Sequence, residues 1–219
     1  MINIAIDGPS GSGKSTLAKN LAKKLGIYYL DTGAMYRAVG YAALRAGTDI
    51  GDAAQVEKLL GQIDFRIDYI NGEQLVFIDG ENVTPYIRTP EVSKAASDIS
   101  AHPCVRIKLV SMQREVAKNY DVVLDGRDIG TYVLPKTPYK FFVTADIEER
   151  ARRRHFELIS SGIEKDCEDV LAEMQSRDDA DSNRSLAPLK KADDAMLIDT
   201  TYMSIEEVID AVSSKIMME

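Results

Sequence analysis

Gly8-Pro9-Ser10-Gly11-Ser12-Gly13-Lys14-Ser15 follows an apolar run and opens a helix-like pattern. It satisfies G-x-x-x-x-G-K-[ST], the pattern of a loop built to hold polyphosphate. Glycines at these intervals let backbone N–H groups converge on phosphate oxygens, and the helix beyond directs its positive end at them. Lys14 is then expected to bridge the two outer phosphates of a triphosphate. The Ser15 hydroxyl is expected to ligate Mg²⁺, and Thr16 is expected to bind ATP with the rest of the loop. A dinucleotide fold is the nearest competitor, because Asp31 lies at a suitable distance to hold a ribose. It fails because "GPSGSGKST" contains no G-x-G-x-x-G. A guanine-reading N-K-x-D is also absent, which disfavours a GTP switch and leaves a small ATP-dependent phosphotransferase.

Three further stretches place Arg beside Asp at the ends of expected elements. "LDTGAMYR" carries Thr32, Tyr36 and Arg37 at a helix start, and "VVLDGRDIGT" ends a strand with Asp125, Arg127 and Asp128. A hydrophobic strand ending in Asp is the usual second anchor for the nucleotide's magnesium, here Asp125 through water. "QSRDDADSNR" sets Arg177, Asp181 and Arg184 at i, i+4 and i+7, along one helix face. Taken alone, these last residues read as ordinary surface charges. "EERARRR", containing Arg150 and Arg154, likewise reads alone as a solvated face. The two histidines, His102 and His155, lie in none of these clusters. That suits an acceptor needing no base, since a phosphate monoester with a second pKa near ~6 is already an anionic nucleophile.

The elements that must position these groups follow from periodicity. "INIAI", "DVVLD", "KFFVT" and "AMLID" read as buried strands separated by helical patterns, the signature of a parallel sheet covered by helices. "KSTLAKNLAKKLG" places Leu17, Leu21 and Leu25 on one helix face and closes at Gly26. From Ile63, "IDFRIDYINGEQLVFIDGENV" alternates at period two around Asn71-Gly72 and Asp79-Gly80, which predicts a three-stranded antiparallel insert. Two helices follow, the second starting at Pro103.

Composition bounds the rest. The chain of 219 residues is 45% hydrophobic and 28% charged, with a formal net charge of -8, which disfavours a general affinity for nucleic-acid phosphates. The N-terminal residues show neither a basic leader nor a membrane span, so a cytoplasmic location is expected. Cys104 and Cys167 fit neither a zinc site nor a disulfide framework and are expected to be reduced, buried thiols.

In order along the chain, "IDGPSGSGKST", "LDTGAMYR", "IRTPEVSKAAS", "VLDGRDIGT", "RDDADSNR" and the β insert resemble the bacterial cytidylate kinase family. The resemblance implies a P-loop kinase fold over residues 1–219 as one domain, with a nucleotide-binding insert at about 61–88 and a helical lid at about 148–165. It implies transfer of the γ-phosphoryl group of ATP to CMP or dCMP with Mg²⁺, in a protein that is usually monomeric. Arg37, Arg127 and Arg184 would hold the acceptor phosphate, with Thr32, Tyr36 and Asp125 nearby. Ser97, Arg106 and Asp128 would read cytosine, and Arg177 and Asp181 would contact the sugar. Arg150 and Arg154 would act from the lid together with Lys14 and Arg127. Thr32 stands where the family often has serine, and Ala180 and Ser182 are less polar or less charged than is common there. A kinase for UMP or a non-nucleotide acceptor, and a non-catalytic nucleotide-sensing module, are the alternatives.

Overall fold

The structure is a computed structural model that describes every residue except Asn71, Met218, Glu219 and the side chain of Met217. The elements run β1 (Asn3–Asp7), α1 (Lys14–Leu25), β2 (Tyr28–Asp31), α2 (Thr32–Ala46), α3 (Ala53–Gln62), β3 (Phe65–Ile70), β4 (Glu73–Ile78), β5 (Glu81–Asn82), α4 (Pro90–Ile99), α5 (Pro103–Asn119), β6 (Val122–Gly126), β7 (Tyr139–Thr144), α6 (Ile147–Ser160), α7 (Cys167–Ser182), β8 (Met196–Asp199) and α8 (Ile205–Met217). Five strands form one sheet in the order β2-β6-β1-β7-β8, and β3-β4-β5 form a second, antiparallel sheet. β1 pairs in parallel with β7 from Ile4↔Tyr139 to Asp7↔Phe142, and β7 pairs in parallel with β8. Parallel strands alternating with helices are what the succession of apolar runs and helical patterns predicts.

Tertiary contacts divide the chain into two compact units, one of Met1 with Tyr28–Val122 and one of Ile2–Ile27 with Val123–Glu219. In the second unit, Ile4, Ala5 and Ile6 of β1 and Leu124 of β6 are fully buried, as a parallel strand covered on both faces requires. Leu17 and Leu21 of α1 are buried at a spacing of four, and each contributes roughly 1.5–3 kcal/mol by leaving water. Leu25, expected on the same face, is only half-buried because the helix ends there at Gly26, in the left-handed conformation. α6 and α7 enclose a small core of Ala151, Leu158, Val170 and Met174.

In the first unit, helix starts follow local chemistry. Asp31 caps α2 by accepting from the N–H of Ala34, Asp52 caps α3, and Thr89 caps α4 ahead of Pro90. α5 begins at Pro103, as read from the sequence. The insert forms as predicted: β3 and β4 pair from Phe65↔Ile78 to Ile70↔Glu73, and β5 adds a short third strand. The Asp79-Gly80 turn carries φ of 51° and 81°, the two positive angles a type I′ turn demands. Of the other expected turn, Asn71 lies outside the described residues.

The cysteines depart from expectation. Cys167 is exposed and Cys104 half-buried, because each sits in the first turn of a helix, at an end rather than along a packed face. No helix among the described residues is long and apolar enough to cross a membrane.

Candidate active site

β1 delivers the chain to Gly8, whose φ of +146° brings the backbone against β7. A Cβ there would stand 1.9 Å from the Val143 carbonyl oxygen, so no other residue fits. Gly13 turns the chain into α1 through φ of +87° and leaves the helix without a side-chain cap. The N–H groups of that first turn therefore have no competing side chain on them, as a phosphate cradle needs. The Ser12 hydroxyl donates to the Pro9 carbonyl at 3.0 Å, and Lys14 Nζ donates to the same oxygen. Lys14 is buried, and burial, followed by the neighbouring Arg127, pulls its pKa well below the usual lysine value against the opposing charges of Asp125 and Asp7. An arriving polyphosphate would reverse that balance by supplying the counter-charge.

The rest of the second unit braces this loop. Arg150 Nη1 donates to the Ser10 carbonyl at 3.0 Å and to Asp178 Oδ2 at 2.6 Å, while its Nε donates to the Ala145 carbonyl at 2.9 Å. Asp178 accepts in turn from the Ser10 N–H at 3.4 Å. Thr200 Oγ1 donates to the Ser12 carbonyl at 3.2 Å. The loop is thus held by its carbonyls and flanks, with Gly13 left exposed.

Three acidic groups organise the strand ends of this unit. Asp125, at the end of β6, accepts from the Ser15 hydroxyl at 2.6 Å. These two oxygens suit Mg²⁺, a hard cation that takes one or two protein ligands and draws the others from phosphate and water. Among the described residues no cluster of three or more His, Cys, Asp or Glu could enclose a metal. Asp181 is buried, accepting from Arg127 Nε at 2.8 Å with Arg184 Nη1 at 3.5 Å. Burial alone would raise its pKa, but Arg127, Arg184 and Arg177 outweigh it and the carboxyl is held below its ordinary value. Arg127 is correspondingly raised, Asp181 overcoming the burial that would lower it. Asp7 ends β1 and takes the N–H groups of Ile129 and Gly130, each at 2.7 Å, fixing the π-type turn that follows Asp128. Burial outweighs those two donors and pushes its carboxyl up to about 7.

In the first unit, Asp31 ends β2 and gathers two guanidinium groups on one oxygen. Arg37 Nη2 lies 2.8 Å and Arg88 Nη2 3.0 Å from Oδ2, while Oδ1 caps α2. The two cations hold the Asp31 carboxyl below its ordinary value although burial opposes them. Thr32, the first residue of α2, is buried beside this cluster. Arg106 of α5 is fully buried with its guanidinium 5.6 Å from the Tyr36 ring centroid. Ser97 lies half-buried on α4, where its carbonyl accepts from Ser100 Oγ.

Residues 4–218 match the profile of a family described as cytidylate kinase. The chain belongs to the cytidylate kinase family. It is 51% identical over 211 residues to a protein named cytidylate kinase from Caldicellulosiruptor bescii, covering 96% of this chain and 93% of that one. It is equally similar to one of the same name from Geobacillus sp. (strain WCH70), with 96% and 94% covered. The solved structure of an uncharacterized protein from Eubacterium ventriosum covers 100% of both chains with a TM-score of 0.58 at 14% identity, a likeness of fold.

Several of the residues read from the sequence fall into these two groups. Lys14, Ser15, Asp125, Arg127, Arg150, Asp181 and Arg184 belong to the phosphate-loop group, whereas Arg154 pairs with Glu157 on its own helix. Its neighbours Arg152 and Arg153 pair with Glu149. Sequence reasoning missed Asp7, Gln74, Arg88 and Asp178. Asp178 had a usable signal, since it precedes Asp181 by three residues on the same helix face. Arg88 lies within "IRTPEVSKAAS" without a role being drawn for it.

Proposed function

We propose that this cytidylate kinase family member transfers the γ-phosphoryl group of ATP to CMP or dCMP, forming ADP and CDP or dCDP. The reading is carried by the Ser15–Asp125 pair, 2.6 Å apart beside an intact phosphate loop, in a chain of this family. The loop from Gly8 to Thr16 wraps the donor's phosphates, and Lys14 leaves the Pro9 carbonyl for their outer oxygens. Ser15, and Asp125 through water, would hold Mg²⁺, which would supply charge neutralisation to the transfer.

Arg37, Arg127 and Arg184 hold the acceptor phosphate in this proposal, close to Thr32. Arg177 and Asp181 take the sugar, and Ser97, Arg106 and Asp128 read the base. Cytosine offers an N4 donor beside the N3 and O2 acceptors, which a carboxylate and a guanidinium complement. The acceptor is ionised at neutral pH, so no side chain takes a proton. Alignment and charge neutralisation then do the catalytic work, and one well-placed arginine is worth about 10³–10⁵ in rate. Closure of the segment at about 148–165 keeps water from the γ-phosphoryl group.

Incubation of the purified chain with ATP, Mg²⁺ and CMP, followed by separation of nucleotides, tests this directly. Equal yields of ADP and CDP support it. ADP and free phosphate without CDP would make the protein an ATPase or a kinase for another acceptor.

A further inference from the structure

One rung of the β insert meets the acceptor-side strand at both of its ends. Tyr69 of β3 and Gln74 of β4 are direct cross-strand partners, so their side chains stand side by side on one face of the hairpin. The Tyr69 ring packs on Tyr28, the first residue of β2, at a centroid distance of 4.7 Å. The Gln74 amide engages Asp31, the last residue of β2. Its Oε1 accepts from the Asp31 N–H at 2.7 Å, and its Nε2 donates to the Asp31 carbonyl at 3.3 Å. One rung therefore grips both ends of a four-residue strand.

The chemistry requires a primary amide on an arm of this length. A carboxamide carries an acceptor and a donor on one carbon, so it satisfies the N–H and C=O of one residue together, as a neighbouring strand would. Asparagine has the same head on an arm one carbon shorter. Asp31 matters because its carboxylate caps α2 and collects Arg37 and Arg88. Fixing its backbone fixes the origin of that carboxylate, and through it the guanidinium of Arg37.

We propose that Gln74 is a positioning residue for acceptor binding, acting through Asp31 on Arg37, and that the β insert serves the reaction by presenting it. The proposal rests on the function given above, with Arg37 on the acceptor phosphate. Gln74 itself bonds the Asp31 backbone rather than a phosphate ligand.

The test compares Gln74→Ala, Gln74→Asn and Gln74→Glu with the wild type, and uses Ile70→Thr on the adjoining rung as a control. KM for CMP is expected to rise about 5- to 30-fold in the alanine and asparagine variants, the loss of one or two hydrogen bonds. KM for ATP should stay within about twofold. Gln74→Glu keeps the acceptor for the Asp31 N–H and loses the donor, so it should fall between, while Ile70→Thr should match the wild type. Amide hydrogen exchange reads the clamp without any substrate: exchange at Asp31 should quicken at least about tenfold in Gln74→Ala while that at Asp79, bonded to the Asp64 carbonyl, is unchanged. If Asp31 exchange quickens and KM for CMP does not move, or KM for both substrates rises together, the positioning role is overturned. If Asp31 exchange is unaltered, the clamp itself is overturned. A wild type that ignores CMP would refute the functional reading instead, with the exchange result still deciding the clamp.

Discussion

Ser15 Oγ and Asp125 Oδ2 lie 2.6 Å apart although 110 residues separate them, joining the first turn of α1 to the end of β6. The hydroxyl is bound to the carboxylate where the nucleotide's magnesium is expected, so each group keeps the other's orientation. Asp125→Asn should lower kcat about 10–100-fold and raise the Mg²⁺ concentration needed for half-maximal rate. A titration of rate against Mg²⁺ checks both, and chelation followed by resupply should abolish and restore wild-type activity.

Lys14 is buried with its ammonium on a backbone carbonyl of its own loop, an arrangement that trades poorly for solvation until phosphate arrives. Lys14→Ala should keep the fold, with a melting temperature within a few degrees of wild type, and lose about 10²–10³ in kcat. Circular dichroism and the coupled assay measure the two effects. Near-normal turnover would remove the loop from the mechanism.

Arg150 and Arg152, two residues apart on α6, should behave in opposite ways. Arg150 is buried and serves three acceptors, among them the Ser10 carbonyl and Asp178; Arg152 is exposed and paired with Glu149. Removing Arg150 leaves Asp178 and the Ser10 and Ala145 carbonyls without their shared guanidinium, so Arg150→Ala should destabilise by about 3–5 kcal/mol and raise KM for ATP about tenfold. Arg152→Gln should leave both KM values within about twofold. Parallel thermal melts and initial rates separate these outcomes.

Asp7 gives the fold a pH signature. Its ordinary value is 3.8 and the folded value about 7, so between these limits the folded protein holds a proton that the unfolded chain has released. More protons bound when folded means that stability falls as pH rises through this window. The fall is a few kcal/mol, because each tenfold change in proton affinity is worth about 1.4 kcal/mol. Asp7→Asn lacks this component. The stability of the wild type minus that of the variant, from urea unfolding at pH 4.5 to 7.5, should therefore decrease as pH increases. A difference that grows with pH would contradict a carboxyl whose burial outweighs its two backbone donors.

The phosphate loop was legible because its residues are contiguous and every type has a local reason, from the glycine angles to the lysine. The insert was legible through period-two alternation and the Asp79-Gly80 turn. Convergence between distant residues was legible for Ser15 and Asp125, both expected at the magnesium, and less so elsewhere. Arg150 reads as one arginine among four until α6 and α7 pack and Asp178 meets Ser10, and Asp181 reads as a surface charge until Arg127 covers it. Gln74 is an unremarkable strand residue in sequence, and only the register with Tyr69 sets it on Asp31. The cysteines were misread because their burial depended on which turn of a helix they occupy.

The central claim is that a cation-lined site reads cytosine and lets an already ionised phosphate attack ATP. Its most direct test is kcat/KM for CMP, dCMP, UMP and AMP at saturating ATP and Mg²⁺. CMP and dCMP should be good acceptors. UMP should be poorer by about 10- to 200-fold, because with Asp128 reading the base as proposed its O4 would set an acceptor against that carboxylate at a cost of about 1–3 kcal/mol. Equal efficiency with UMP, or turnover of ATP without phosphorylation of any of the four, would contradict the account.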